Sequence, residues 1–519
     1  METKSKILES NVPFGKSLIW ELNRSYYKEV GLSAWSDGVV PHNMTSNTFV
    51  GKTYAALILG FLKDLSKNAQ FDEKVYIAEL GSGHGRLAFH ILKHLDTMIE
   101  LEPMDLPVYC YVLTDIVESN LDFFSDHHQL QTYYEKGNLD VAFYDGVESN
   151  IMELRKAKIT LSKGSLKYPL IVLANYFFDS IPTEIYAIHN GCISIGDLTI
   201  ESNFDIGEVP IKTLLKGLKT TFNYSAIKED QLTSAIKNLL EYYQKSLKET
   251  YLLIPSQSIR CLENLKHFSE NGLMLLSIDK GFSELKDLEN QPEPELVTHG
   301  SFSLYVNFHA MQKYVEQNKG KSLFASFSDY SLQLACFLMV PDADSYKETF
   351  LAYNHYVNDF GPDDFNGMKK MLRRIGQELN LRELITAIRM SYYDSNLFIE
   401  LLPYIKKQSQ QLTIEERKRL GETLHKIGNT YFDIKEPVDT LIEIGGLFYD
   451  LGFYKEALSY FEKIDHQSIA ISNVYYNKAL CFYQLRMDSE FTSTLEYAKL
   501  TFPNNENFAY LETLDLNAK

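Results

Sequence analysis

From Val75 onward, short runs of β-branched and aromatic residues alternate with stretches whose apolar positions recur at helical spacing. Val75 to Leu80 is followed by Leu87 to His94, and Tyr109 to Asp115 by Leu121 to Leu130. Val141 to Gly146 is followed by Ile151 to Leu161, and Tyr168 to Asn175 by a segment opening at Pro182. Repeated strand-to-helix units of this kind predict a mostly parallel, doubly wound, Rossmann-like α/β sheet. Further strand-like runs occur at Glu184 to Ile188, Leu273 to Ile278 and Ser301 to Val306, with a helical, Lys-rich insert near 213–248. Beyond Val340 the strand signal ends and the pattern becomes helix-periodic. The expected division is an α/β domain over 1–340, opened by a helical segment, and an all-α domain over 341–519.

Within that second domain, Leu441, Ile444, Gly445, Phe448, Gly452, Tyr454, Ala457, Phe461 and Ile464 fill the packing positions of the tetratricopeptide pattern. A shift of about 34 residues sets Ala479 on Gly445, Phe482 on Phe448 and Ala498 on Ile464, with Pro503 at the terminal proline position. Arg486, Asp488 and Phe491 break the second copy. The expectation is a tetratricopeptide-like pair near 438–505, stacked on the helices that precede it and used to bind a protein substrate or partner.

At 519 residues and 59.8 kDa, with 45% apolar and 23% charged residues, the chain is globular and too long for one core. Its net charge of −18 opposes phosphate backbones and anionic lipid and argues against nucleic acid. Five scattered cysteines without a CxxC pair speak against a disulfide scaffold or a cysteine-rich zinc site and fit a reducing cytoplasm. The N-terminus has neither signal-peptide nor transit-peptide character, and no apolar run nears the ~18 residues of a membrane helix.

Glu79-Leu80-Gly81-Ser82-Gly83-His84-Gly85 closes the first strand and opens a helix. Alternate glycines allow a sharp turn and close approach of a ligand. A pyrophosphate fingerprint would place its third glycine one residue later, and Glu79 would repel a pyrophosphate. The acid suits a ligand with a cationic amino-acid end, as S-adenosylmethionine has. Asp115, ending the second strand, would then bind the ribose hydroxyls, and Asp145, after the third, would accept the adenine amino hydrogen. Gly81, Ser82, Gly83 and Gly85 complete the expected cofactor site, with Asn175 beside it.

The fourth strand delivers Leu173-Ala174-Asn175-Tyr176-Phe177-Phe178-Asp179-Ser180-Ile181-Pro182, which resembles the NEFFDALP segment of the MidA-like class I methyltransferases. Thr45 to Gly51 resembles that family's element ahead of the cofactor loop, Ile278-Asp279-Lys280-Gly281 its IDYG strand, and Gly300 to Tyr305 with His309 its GTLRCYRRH segment. The likeness spans about residues 20 to 335. It implies methyl transfer from S-adenosylmethionine, with a protein arginine as acceptor. Tyr176 replaces the family's Glu, Lys280 its Tyr, and Val306-Asn307 its Arg pair, so the acceptor site departs from the pattern. The rival readings are a small molecule or another side chain as acceptor, and a scaffold that has lost activity and recruits partners through its repeats.

Methyl transfer from a sulfonium depends on positioning and desolvation more than on a strong base. Asn175 could orient an acceptor nitrogen through its carbonyl, and Asp179 could hold a cation or remove a proton; alternatively Asp179 caps a helix begun near Pro182. His309 is read as an acceptor-site residue or as a core side chain. His84, His90 and His94 are read as solvated helix residues, not metal ligands.

Overall fold

Strands β1 (Val75–Glu79), β2 (Tyr109–Asp115), β3 (Leu139–Phe143), β4 (Leu170–Leu173) and β5 (Leu273–Asp279) are runs of apolar residues buried along nearly their whole length. Such strands suit a parallel sheet covered on both faces. The computed structural model, which describes residues 5–36, 43–67, 72–227, 232–296, 301–326, 332–436, 438–464 and 471–514, joins them with β6 (Lys321–Phe324) and β7 (Gln333–Met339) into one seven-stranded sheet. Its order is β6-β7-β5-β4-β1-β2-β3. β1 to β5 are mutually parallel, and β7 runs antiparallel to both neighbours. The order reverses at β1 and β4, which opens a crevice at their carboxyl ends.

Helix α1 (Leu18–Val30) precedes the sheet, α2 (Thr48–Ser66) leads into β1, and α3 (Arg86–Leu101) and α4 (Glu118–Asp126) follow β1 and β2. The helix expected over Ile151 to Leu161 is absent; Met152–Glu153 and Thr160–Leu161 form a small hairpin. No helix begins near Pro182 either. Glu184–His189 enters a second, five-stranded antiparallel sheet with Lys6–Pro13, Cys192–Ser202, Lys219–Ala226 and Glu249–Ile254. The N-terminal segment thus opens on a strand before its helix. The insert near 213–248 is likewise mixed: helix α5 (Ser234–Ser246) follows Lys219–Ala226, whose alternating exposure marks a half-covered strand. Helix α6 (Ser256–Lys266) then leads to β5, and of the strand expected at Ser301 to Val306 only Val306–Asn307 pairs, with Gly281–Phe282, before α7 (Phe308–Gln317).

The chain divides into two compact units, Met1–Ser46 with Val50–Asn366, and Asn47–Phe49 with Gly367–Lys519. Helix Lys347–Tyr353, assigned to the second domain by the sequence, therefore packs with the first. Asp64 of α2 accepts the N–H groups of Glu348 (3.1 Å) and Thr349 (2.8 Å), and Tyr353 donates to the Leu334 carbonyl at 2.8 Å. The strand signal ends before the packing does.

The second unit is helical among its described residues, with capping boxes at Asn380 and Thr413 and side-chain caps at Asp394 and Asp439. Thr440–Asp450, Tyr454–Phe461, Ile471–Leu485 and Asp488–Thr501 each touch the next, and Thr440–Asp450 also touches Ile471–Leu485. Ile444, Phe448, Ala457, Phe461, Ala479, Phe482 and Ala498 are buried. A Cβ at Gly445 would lie 2.6 Å from the Phe461 ring. Gly445→Val is expected to destabilise this unit by ~1–3 kcal/mol, read as a lower urea midpoint, and to leave cofactor affinity unchanged.

Candidate functional site

The β1 terminus is tied to β2 before the glycine loop begins. Ser82 N–H donates to the Thr114 carbonyl (2.8 Å), Thr114 N–H to Ser82 Oγ (3.1 Å), and Thr114 Oγ1 to the Glu79 carbonyl (2.7 Å). Gly81, Gly83 and Gly85 all take positive φ, +60°, +61° and +74°. The chain can thus reverse sharply without side chains in the way. Glu79 is buried, its Oε2 accepting from Tyr111 at 2.8 Å. Burial, with the Asp115 charge adding to it, pushes its carboxyl up to about 8 against that bond.

Asp115 is also buried and accepts from Gly83 N–H (3.0 Å), Val117 N–H (2.9 Å) and Asn120 Nδ2 (3.2 Å). Burial raises its carboxyl to about 6, and those bonds oppose the rise. It therefore fixes the loop as well as facing the cavity. Asp145 is not open as the sequence reading had it. Arg24 of α1 grips both its oxygens, and Val147 N–H donates to Oδ1 at 3.0 Å. An adenine amino group would share Asp145 with that guanidinium.

At the end of β4, Asn175 Oδ1 accepts from Tyr54 OH (2.5 Å) and from Ile278 N–H (3.0 Å). Its carbonyl is therefore spent, and Nδ2 is the buried atom without a partner. The expected role reverses: Asn175 has a donor to offer, not an acceptor. Tyr176 holds a left-handed φ of +48°, a strained conformation of the kind found at functional turns. Asp179 is buried, caps no helix, and is raised to about 7 by burial, with Lys280 and Ser303 pulling the other way. Asp279, at the end of β5, has no exposure; burial first and the Asp179 charge second push its carboxyl well up. Its Oδ2 accepts from Phe178 N–H at 3.2 Å, and Oδ1 has no partner.

Apart from the sealed Asp279, these acids and Asn175 border one cavity of about 520 Å³. Glu79, Gly81, Ser82, Gly83, Asp115 and Asp145 line it together with Asn175, Tyr176, Asp179 and Lys280. Gly85 does not; it caps α3 and packs on Phe124. His309 is outside as well, buried against Tyr242 and Tyr243 with Nδ1 2.8 Å from Tyr243 OH. Burial lowers it to about 4. Asn307 caps α7 and bonds the Leu253 carbonyl, and neither it nor Val306 reaches the cavity. The departures that do reach it are Tyr176 and Lys280. His84 and His90 are buried, not solvated, because α2 brings Gly51 tight against His90 and His84 joins the cavity wall. Among the described residues no group of acids, histidines and cysteines is arranged to hold a metal.

Sequence reasoning missed the wall that α1 supplies through Trp20, Asn23, Arg24 and Tyr27, and missed Trp35 and Tyr54. The amphipathic spacing of α1 marks a helix, but nothing in it announces a partner at Asp145.

The raised carboxyls set the sign of one pH effect. Glu79, Asp179 and Asp115 bind protons more tightly folded than unfolded, so their stabilisation is present at low pH and is lost as pH rises through about 6 to about 8. The lowered His309 acts oppositely, but only below its ordinary value of 6.5. Ligand-free protein is expected to lose about 3 kcal/mol between roughly pH 6.5 and pH 8.5, measured by denaturant melts across that range.

The crevice, the bare glycine loop and the buried acids define an α/β domain for a nucleoside cofactor with a cationic end. Glu79 can meet an ammonium, Asp115 retains a lone pair for a hydroxyl, and the Gly81 and Gly83 backbone borders the cavity without a side chain. Residues 55–323, a little over half the chain, match the family described as "Putative S-adenosyl-L-methionine-dependent methyltransferase". The chain belongs to this family and is an S-adenosyl-L-methionine-dependent methyltransferase. No curated protein matches the sequence. Similar solved structures include two members of one superfamily from Burkholderia thailandensis, each 11% identical and each covering 65% of this chain and 90% of its own. The first is a native, uncharacterized protein with a TM-score of 0.40; the second, at 0.41, is bound to S-adenosyl-homocysteine. An O-methyltransferase family protein from the same organism is 8% identical, with a TM-score of 0.24, covering 62% of this chain and 71% of its own.

Proposed function

We propose that the chain is a MidA-like enzyme of the cytoplasm that methylates arginine in a protein substrate, recruited through its tetratricopeptide-like C-terminal helices. The observation that carries the acceptor is the Asp179 carboxylate, buried in a cavity walled by Trp20, Tyr27, Tyr176, Phe177 and Phe302. A carboxylate flanked by aromatic faces favours a planar cation, which it can bind through two parallel hydrogen bonds. Bound S-adenosylmethionine supplies an electrophilic methyl. Asp179 holds the guanidinium and takes the proton that the nitrogen loses, while Asn175, with its Nδ2 unpartnered, lines the same cavity. Support for recruitment comes from the ladder of touching helices over 440–501, and five unpaired cysteines suit a reducing compartment. Within the first unit no described helix is long and apolar enough to cross a membrane, nor is any in the second.

The glycine loop keeps its positive φ angles and its bond from Gly83 N–H to Asp115, which weighs against the inactive-scaffold reading. Incubation with methyl-labelled cofactor and cell lysate, followed by mass spectrometry, is expected to place label on an arginine nitrogen. Label on oxygen, or on small molecules alone, overturns the assignment.

A further inference from the structure

We propose that the acceptor side of this cavity exchanges charge for charge: a cationic nitrogen enters as a proton kept by the buried Asp179 and Asp279 carboxyls leaves. The inference rests on the cationic-acceptor reading above and adds a proton linkage and a role for Asp279, which no acceptor can touch directly.

Asp279 ends β5 and is sealed from the cavity, its Oδ2 taking the Phe178 N–H at 3.2 Å in the segment beyond β4, one residue before Asp179, which lines the cavity. Lys280, next to Asp279, is the cation that acts on both. Arg24, the other cation of the wall, is committed to Asp145. The remaining titratable groups that face the pair are Tyr54 of α2, Tyr176 at the β4 end and Tyr27 of α1, all of which burial holds as neutral phenols. Glu79 of β1 acts on Tyr54 from the far side. The Asp279 carboxyl accepts from the Phe178 N–H at Oδ2, and its buried Oδ1 has no partner. Ionising both acids in so dry a place would leave a negative charge that Lys280 alone cannot answer. The pair therefore keeps a proton while no acceptor is present.

A neutral acceptor gives the pair no reason to release it. A guanidinium against Asp179 brings the missing positive charge, so the proton departs to solvent and the cluster returns toward neutrality. Acceptor affinity then depends on pH through Asp179, which titrates at about 7. With bound Asp179 fully ionised, affinity should rise about tenfold between roughly pH 6 and pH 8.5.

The test is titration calorimetry on the full chain saturated with S-adenosylhomocysteine, using acetyl-arginine amide as the guanidinium probe and acetyl-citrulline amide as its neutral isostere. Near about pH 6, heats measured in two buffers of different ionisation enthalpy should differ in the sense of proton release, and near about pH 8.5 the difference should shrink. Asp179→Asn should weaken the guanidinium probe, abolish the release and its pH dependence, and leave S-adenosylhomocysteine affinity unchanged. Guanidinium binding without release near the lower pH, or equal affinity for the neutral isostere, overturns the exchange. An ammonium probe that binds with release where the guanidinium does not would overturn the arginine assignment and leave the exchange standing.

Discussion

Gly83→Val is expected to abolish cofactor binding in a protein that still folds. Gly83 sits at φ +61°, where a β-branched residue pays roughly 1–2 kcal/mol or more in local strain. Its Cβ would also come within 2.9 Å of the Trp35 ring, so either the ring or the loop has to move. Moving the loop breaks the bond from Gly83 N–H to Asp115, the same carboxylate that is left to meet a ribose hydroxyl. The strain stays local because β1 and α3 are anchored by buried residues such as Ile77, Ala78, Leu87, Ile91 and Leu92. S-adenosylhomocysteine affinity should fall at least about a hundredfold, or ~3 kcal/mol, by calorimetry, while thermal unfolding stays cooperative. Trp35→Ala in the same background separates the two causes, since it removes the ring contact but not the backbone strain. Unchanged affinity in folded Gly83→Val would remove the glycine loop from the cofactor site.

The parallel strands were legible because sheets buried on both faces need continuous apolar runs, and the acids ending them were legible because a parallel sheet collects its strand ends on one edge. The connections were less so. Ile151, Leu154 and Leu161 have helical spacing, yet the segment is a hairpin. Its turn is held by Asp140, whose carboxylate accepts the N–H groups of Lys156 and Ala157 at 2.8 Å each, and by Arg155 N–H donating to Val141 at 2.9 Å. Amides committed to a preceding strand cannot close a helix, and periodicity does not record that commitment. After Pro182, likewise, Ile185, Tyr186 and Ile188 are buried in a strand with partners on both sides. The site follows the same rule. Glu79, Asp115 and Asp179 could be placed from position, whereas the Arg24 grip on Asp145 and the Tyr54 bond to Asn175 each join groups 121 residues apart.

Asp179→Asn should leave S-adenosylhomocysteine affinity within about twofold and lower turnover by roughly 10²–10⁴, the range that a positioned proton acceptor contributes. Asn keeps the size of the side chain, so Leu304 N–H still donates to the residue 179 carbonyl and the turn survives. What goes is the charge that holds a cation and the base that takes its proton. In the wild type the base form grows as pH rises through about 7, so kcat/KM should climb across that range and level off above it. The variant should show no such limb. Removing Asn175 is expected to act differently, because its Oδ1 secures Tyr54 and the Ile278 amide. Asn175→Ala frees two buried partners and should cost about 1–3 kcal/mol of stability along with turnover, while retaining the acid limb that belongs to Asp179. Full activity in Asp179→Asn, or the same pH limb in both enzymes, would take the proton-accepting role away from Asp179.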